Sequence, residues 1–220
     1  MKIAALLATR RSSTRVKNKS IKKFGKFNLT TLKLSQIERI KEFTNSYFSS
    51  DIHSLNVVAK RKSIVLIKRD DKYLGESTIS DFAPFLAKKI KEDHICYLNN
   101  TSPLLKISTI LKALKIYKNL NFRKYDSLGT FELCNEFLWN KDGPINYDLK
   151  KTPMTQNLKG VYKLIPALSI IPKKILFKTK NVIGSKPYKL LISKPESIKI
   201  SNLEDYELAK LFRKKYSNLI

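Results

Sequence analysis

Apolar residues along this chain fall into short continuous runs that alternate with stretches of helical spacing. Residues 3–8 (IAALLA) are an uninterrupted apolar run, the pattern of a strand buried on both faces. Residues 29–43 place Leu32, Leu34, Ile37 and Ile40 near helical spacing, with Thr30 or Thr31 as the cap. A short strand at 47–50, a helix at 52–59 and a buried strand at 63–67 (SIVLI) follow. Capping residues open a helix at 77–90, and 94–98 (HICYL) reads as another buried strand. An amphipathic helix at 107–117 and a strand at 127–133 complete the series. This alternation predicts an α/β protein of three layers, with a mostly parallel, right-handed, doubly wound central sheet.

The pattern changes after residue 136. Residues 137–147 carry hairpin or loop chemistry at Asp142, Gly143 and Pro144. From there to about residue 193 the sequence reads as short strands with one short helix at 172–178; the apolar stretch 164–171 is broken by Pro166 and followed by Pro172. Residues 189–193 read as a strand and 202–215 as a closing helix. Asn202 caps that helix, with Glu204 and Asp205 in its first turn. No repeat, low-complexity linker or boundary interrupts the chain. The expectation is one domain over 1–220, with 137–185 as a dimerisation or lid insertion.

Composition narrows the class. The 220 residues suit one larger α/β domain, and 42% hydrophobic with 10% aromatic residues suffice for a core, which excludes global disorder. A net charge of +26 attracts polyanions and makes nucleic acid a candidate partner. The lysines are nevertheless spread along the whole length, without a like-charge block. Cys96 and Cys134 stand alone, without CxxC spacing or a nearby His pair, so they read as reduced core residues and no zinc site is indicated. The run at 3–8 is too short for a signal-peptide core, and no run reaches the length of a membrane span. A soluble, cytoplasmic protein without a membrane partner is expected.

The densest chemistry follows the first predicted strand: Arg10, Arg11, Ser12, Ser13, Thr14, Arg15, Lys17, Asn18 and Lys19. In open α/β sheets ligands bind beyond the carboxyl ends of the strands. Hydroxyls and fixed cations at that place suit a polyphosphate. A solvated basic loop in a lysine-rich chain is the plain alternative.

The run RRSSTRVKNKSI (residues 10–21), followed by Phe24 and Gly25, resembles the signature loop of the cytidylyltransferases that activate acidic sugars, the CMP-sialic acid synthetase family. Arg10, Ser13, Arg15 and Lys19 fall on its pattern, while Arg11 and Ser12 replace its glycines and Ser20 its asparagine. Further matches keep the same order along most of the chain. They include Ser49-Ser50-Asp51, Arg69, Ser77 with Asp81, and NNTSPL at 99–104. Phe137-Leu138-Trp139, GPINY at 143–147, Gln156 within TQNL, and Asp205-Tyr206 continue the series.

The resemblance implies a Rossmann-like nucleotidyltransferase fold and transfer of CMP from CTP to an acidic sugar, with pyrophosphate release, for surface polysaccharide biosynthesis. It implies that Arg10 and Lys19 act as catalytic cations on the triphosphate, with Ser13 and Arg15 beside them. Arg69, Ser77 and Asn99 would serve the base and ribose, and Asn99, Gln156 and Tyr162 the acceptor sugar. A homodimer would form through 137–147 and 162–178. The family holds Mg²⁺ with the two carboxylates of Asp-Ile-Asp-Thr before its last helix; this chain has Lys199-Ile200-Ser201-Asn202 there, so the metal's ligands are absent. Either the Lys199 ammonium supplies the missing charge, or the chain keeps the fold and has lost catalysis. Met154 and Thr155 stand where the family has an arginine before Gln156, which removes the expected clamp for a sugar carboxylate.

Overall fold

Residues 3–8 are buried on both faces and run through the interior of a seven-stranded sheet. The computed structural model describes residues 1–13, 15–73 and 78–215. In chain order the first half comprises β1 (Ile3–Ala8), a hairpin of β2 (Lys23–Phe24) and β3 (Phe27–Asn28), α1 (Leu29–Glu38), β4 (Asn45–Ser49), α2 (His53–Arg61), β5 (Val65–Leu66), α3 (Ile79–Lys89), β6 (His94–Leu98) and α4 (Ile107–Lys118). The second half adds β7 (Ser127–Cys134), a hairpin of β8 (Trp139–Asn140) and β9 (Gly143–Pro144), β10 (Val161–Pro172), α5 (Lys173–Thr179), β11 (Pro187–Leu191), α6 (Lys194–Ser197) and α7 (Leu203–Lys215).

The sheet order is β11-β7-β10-β6-β1-β4-β5, and β10 is its one antiparallel member among the described residues. Alternation along β1 explains the layers. Ile3, Ala5 and Leu7 face a core shared with α1, α2 and α4, whereas Ala4 and Leu6 face one shared with α3 and α5. The predicted mostly parallel, three-layer α/β architecture is the one observed.

Three element expectations are corrected. Residues 63–67 form only the two-residue β5, with Val65 47% exposed, because this is the sheet's edge and solvent covers one side. The helix predicted at 29–43 ends at Glu38. Its cap is Asn28, whose Oδ1 accepts from the amides of Thr30 and Thr31. The stretch read as short strands is one twelve-residue strand, β10, wedged between β6 and β7. Pro166 does not break it: the pairing with β7 slips between Ile165 and Ser169, and a bulge at that point spares the amide proline lacks.

A third, smaller core places the C-terminal helix beside the loop after β1. Val16, Phe24, Leu29 and Leu32 pack there with Leu104, Ile200, Tyr206 and Ala209. Tyr206 donates its hydroxyl to the carbonyl of Lys23, and the amide of Ile200 donates to the carbonyl of Thr101 at 2.8 Å. Gly25 turns the β2–β3 hairpin at φ +69°, where a side chain would be strained and would meet the Arg213 guanidinium.

Candidate functional site

A trough of three adjoining clefts runs over the carboxyl ends of β1 and β6. The first, about 200 Å³, is lined by Arg10, Ser12, Ser13, Arg15 and Lys19 from the loop after β1 and by Asn100 and Thr101 from the loop after β6. The second, about 170 Å³, shares Ala8, Thr9 and Arg10 with the first and adds Arg69, Thr78, Phe82 and Tyr97. The third, about 260 Å³, shares Ile79 and Tyr97 with the second. It continues along Asn99, Leu164, Pro166, Leu168, Ser169 and the segment 181–183. A larger cavity of about 610 Å³, lined by Met1, Asp93, His94 and Phe122, lies at the opposite ends of these strands. Crossover loops at the carboxyl ends are where this architecture builds ligand sites, so the trough is the better candidate.

A buried polar network holds the first cleft in shape. Thr9 and Ser20, the two ends of the basic loop, are joined through their hydroxyls, and Ser20 Oγ donates to the carbonyl of Arg10 at 3.0 Å. Asn100 Nδ2 donates to Thr9 Oγ1 at 3.2 Å and to Thr30 Oγ1 at 2.9 Å, and Thr30 Oγ1 donates to the carbonyl of Ser20 at 2.7 Å. Side-chain hydroxyls thereby fix a loop that has no glycine to tighten it. Beneath this network the fully buried Lys33 donates to Gln36 Oε1 at 2.7 Å and to the carbonyl of Ser102 at 3.3 Å. Burial pulls the Lys33 ammonium down to about 7, although Glu196 works in the other direction.

The cations differ in their settings. Lys19 is half-buried and donates to the carbonyl of Ile200 at 3.4 Å. Burial lowers its pKa, and Arg15, Lys199 and Arg10 add to that by repulsion, against the attraction of Asp205. Arg10, Arg15 and Lys19 line one cleft, and Lys199 adjoins Ile200, whose carbonyl Lys19 contacts. Arg69 is buried and braces the neighbouring strand ends: Nη2 donates to the carbonyls of Thr9 at 2.9 Å and Ser49 at 3.4 Å. Its guanidinium lies 4.2 Å from the centre of the Phe82 ring, and its Nε has no partner among the described residues. Burial lowers its pKa, against the pull of Asp51.

Of the sequence-derived site residues, the trough brings together Arg10, Ser13, Arg15, Lys19, Arg69 and Asn99. Asn99 also closes the turn, since its Oδ1 accepts from Thr101 Nα at 3.0 Å and Thr101 Oγ1 at 2.9 Å. Ser77, and Thr14 of the loop, lie outside the described residues. Gln156 and Tyr162 are not in the trough: both are exposed, Gln156 on the turn before β10 and Tyr162 on its outer half, under the Lys189 ammonium. Reading the sequence did not find Thr9, Asn100, Lys33, Thr78 or Phe82. Asn100 sat in plain view inside NNTSPL; the long-range pairing that gives it meaning has no local signal.

The donor set does not suit a magnesium ion, which wants anionic oxygens in an octahedral shell. Lys199 and Ser201 occupy the segment before α7, and Asp205 Oδ2 already accepts from the amides of Ser201 at 2.7 Å and Asn202 at 3.2 Å. Asp51 accepts from the amide of Arg11 at 2.8 Å. Among the described residues no group of three or more His, Cys, Asp or Glu stands together. Nor is any helix among them long and apolar enough to cross a membrane.

Known proteins share this fold. A CMP:2-keto-3-deoxy-manno-octonic acid synthetase, solved in complex with CTP, superposes with a TM-score of 0.72 at 8% identity, covering 98% of this chain and 100% of that one. The 4-diphosphocytidyl-2C-methyl-D-erythritol synthase of Anaerococcus prevotii gives a TM-score of 0.70 at 13% identity over 97% of this chain and 96% of that one. A cytidylyltransferase from Leptospira borgpetersenii gives 0.64 at 15% identity over 98% of this chain and 87% of that one. At these identities the likeness is one of fold. No curated protein matches the sequence. The cytidylyltransferase family model matches residues 4–148, from β1 through the β8–β9 hairpin, and so takes in every element that builds the first two clefts. The chain belongs to the cytidylyltransferase family.

Proposed function

We propose that this protein transfers the cytidylyl group of CTP to a hydroxyl of an acidic sugar, as a divergent relative of the CMP-sialic acid synthetases. The observation that carries the reading is the convergence of Arg10, Arg15 and Lys19, with Ser12 and Ser13, on a cleft at the carboxyl end of β1. A triphosphate laid there meets fixed positive charge, and the clefts beside it extend toward a base and an acceptor.

In this reading the acceptor oxygen attacks the α-phosphorus and forms the new O–P bond. The bond from that phosphorus to the bridging oxygen breaks, its electron pair leaves on pyrophosphate, and the hydroxyl proton passes to solvent. The protein's work is placement and charge stabilisation. Arg10 and Lys19 neutralise the charge that grows on the departing pyrophosphate, and Ser13 donates to a phosphate oxygen. Arg69 keeps Thr9 and Ser49 in register, and its Nε, without a partner among the described residues, is available to the nucleotide. The third cleft receives the acceptor. Its walls of Ile79, Leu164, Pro166 and Val182 suit methyl and acyl groups of the sugar, and no Lys or Arg is among its lining residues.

A homodimer fits the same reading. Phe137, Trp139, Ile145, Leu149 and Met154 on the segment between β7 and β10, with Tyr162 near the start of β10, are all at least 40% exposed, an apolar surface that a second copy would cover. The work of such an enzyme, sugar activation for surface polysaccharide in the cytoplasm, follows from the acceptor assignment. The test is pyrophosphate release from each of the four nucleoside triphosphates against a panel of sugar acids. Release with CTP and one acid is expected. Release with another triphosphate, or with none, overturns the reading.

A further inference from the structure

We infer that this chain binds CTP as the metal-free tetra-anion, with the Lys199 ammonium and the cations of the basic loop standing where a divalent ion would otherwise be needed. The inference rests on the cytidylyl-transfer reading and goes beyond it. Lys19 is the hub. Its charge is opposed by Arg15, Lys199 and Arg10 and favoured by Asp205. Its Nζ also donates to the carbonyl of Ile200, the residue after Lys199, at 3.4 Å. Ile200 is in turn fixed by its buried side chain and by its amide bond to Thr101. Lys199 is thus carried on a rigid segment beside the cleft rather than on a free tail.

Like charges gathered in one cleft repel one another, and the cost falls when a polyanion is seated among them. The carboxylate that favours the Lys19 charge, that of Asp205, is committed to the amides opening α7. A magnesium ion arriving with CTP would face ammonium and guanidinium groups, and the complex it forms carries less negative charge for them to neutralise. Free CTP is therefore the preferred form.

The test is titration of the full chain with CTP in EDTA and in excess Mg²⁺, read by calorimetry, which needs no turnover. Tighter binding in EDTA is expected, with Mg²⁺ weakening it by about tenfold, equivalent to about 1.4 kcal/mol. Lys199→Gln should weaken binding in EDTA by about tenfold, and Lys199→Asp should weaken it further and make it Mg²⁺-dependent. Lys199 is exposed, so neither change removes core packing. Lys115→Gln is the charge control, because Lys115 is exposed in the last turn of α4, toward the opposite end of the sheet. Wild-type binding that needs Mg²⁺ overturns the inference and leaves the cytidylyl reading standing. An equal loss in the Lys115 and Lys199 variants overturns it too, since general charge would then be the cause. No CTP binding in either buffer overturns both.

Discussion

Arg69 donates to the backbone carbonyl of Thr9 at 2.9 Å while its guanidinium lies over the ring of Phe82. One side chain thus ties the end of β1 to the helix that walls the second cleft. Arg69→Met keeps the length and loses both carbonyl contacts. A loss of about 2–3 kcal/mol in chemical denaturation is expected, because hydrogen bonds from a charged donor are worth more than neutral ones. A nucleotide-induced rise in melting temperature should disappear as well.

Asn100 is the second brace. It is buried and links the hydroxyls of Thr9 and Thr30. Asn100→Leu leaves both hydroxyls short of a donor in the interior, at a cost of about 1–3 kcal/mol. CTP affinity should drop with stability, since the basic loop loses its anchor to α1. Denaturation and titration of one variant check both expectations; unchanged CTP affinity would separate the loop's shape from binding.

Lys33 makes stability depend on alkaline pH. Its folded-state value of about 7 lies below the ordinary 10.5 of the unfolded chain. Between those values the unfolded chain binds more protons, so stability rises with pH through that window, by at most about 1.4 kcal/mol per pH unit. Below about pH 7 both states carry the proton and this slope vanishes. Subtracting the urea-denaturation profile of Lys33→Met from that of the wild type isolates the effect, and a flat difference from pH 7 upward would contradict it.

The apolar segment between β7 and β10 supplies a fourth expectation. Trp139 is 57% exposed, in β8, where it pairs with Pro144 across the β8–β9 hairpin. In light scattering, Trp139→Glu should turn a dimer into a monomer without lowering the melting point of the α/β core. A wild-type monomer would contradict the proposed contact.

How far the sequence revealed this molecule depended on the range of the interactions involved. β1, β6 and α4 were legible because burial on both faces or on one helical stripe writes itself into the residue pattern. β10 was not, because Pro166 looks like a stop signal until a bulge is seen to accommodate it. The basic loop was legible from its position after a strand and its resemblance to a known motif. The hydroxyl network beneath it was hidden, since Thr9, Ser20, Thr30 and Asn100 come from four separate segments. Lys33 was hidden for a similar reason: in sequence it is one more lysine of a +26 chain, and only the fold shows it enclosed.

The central claim is that the loop after β1 grips a triphosphate. Calorimetric titration with CTP and with CMP, for the wild type and for an Arg10→Ala, Lys19→Ala double variant, tests it most directly. The account predicts that wild type prefers CTP to CMP by about a hundredfold, or about 2.8 kcal/mol, and that the double variant loses this preference while still binding CMP. Equal wild-type affinity for the two nucleotides, or a preference that survives the double substitution, would contradict it.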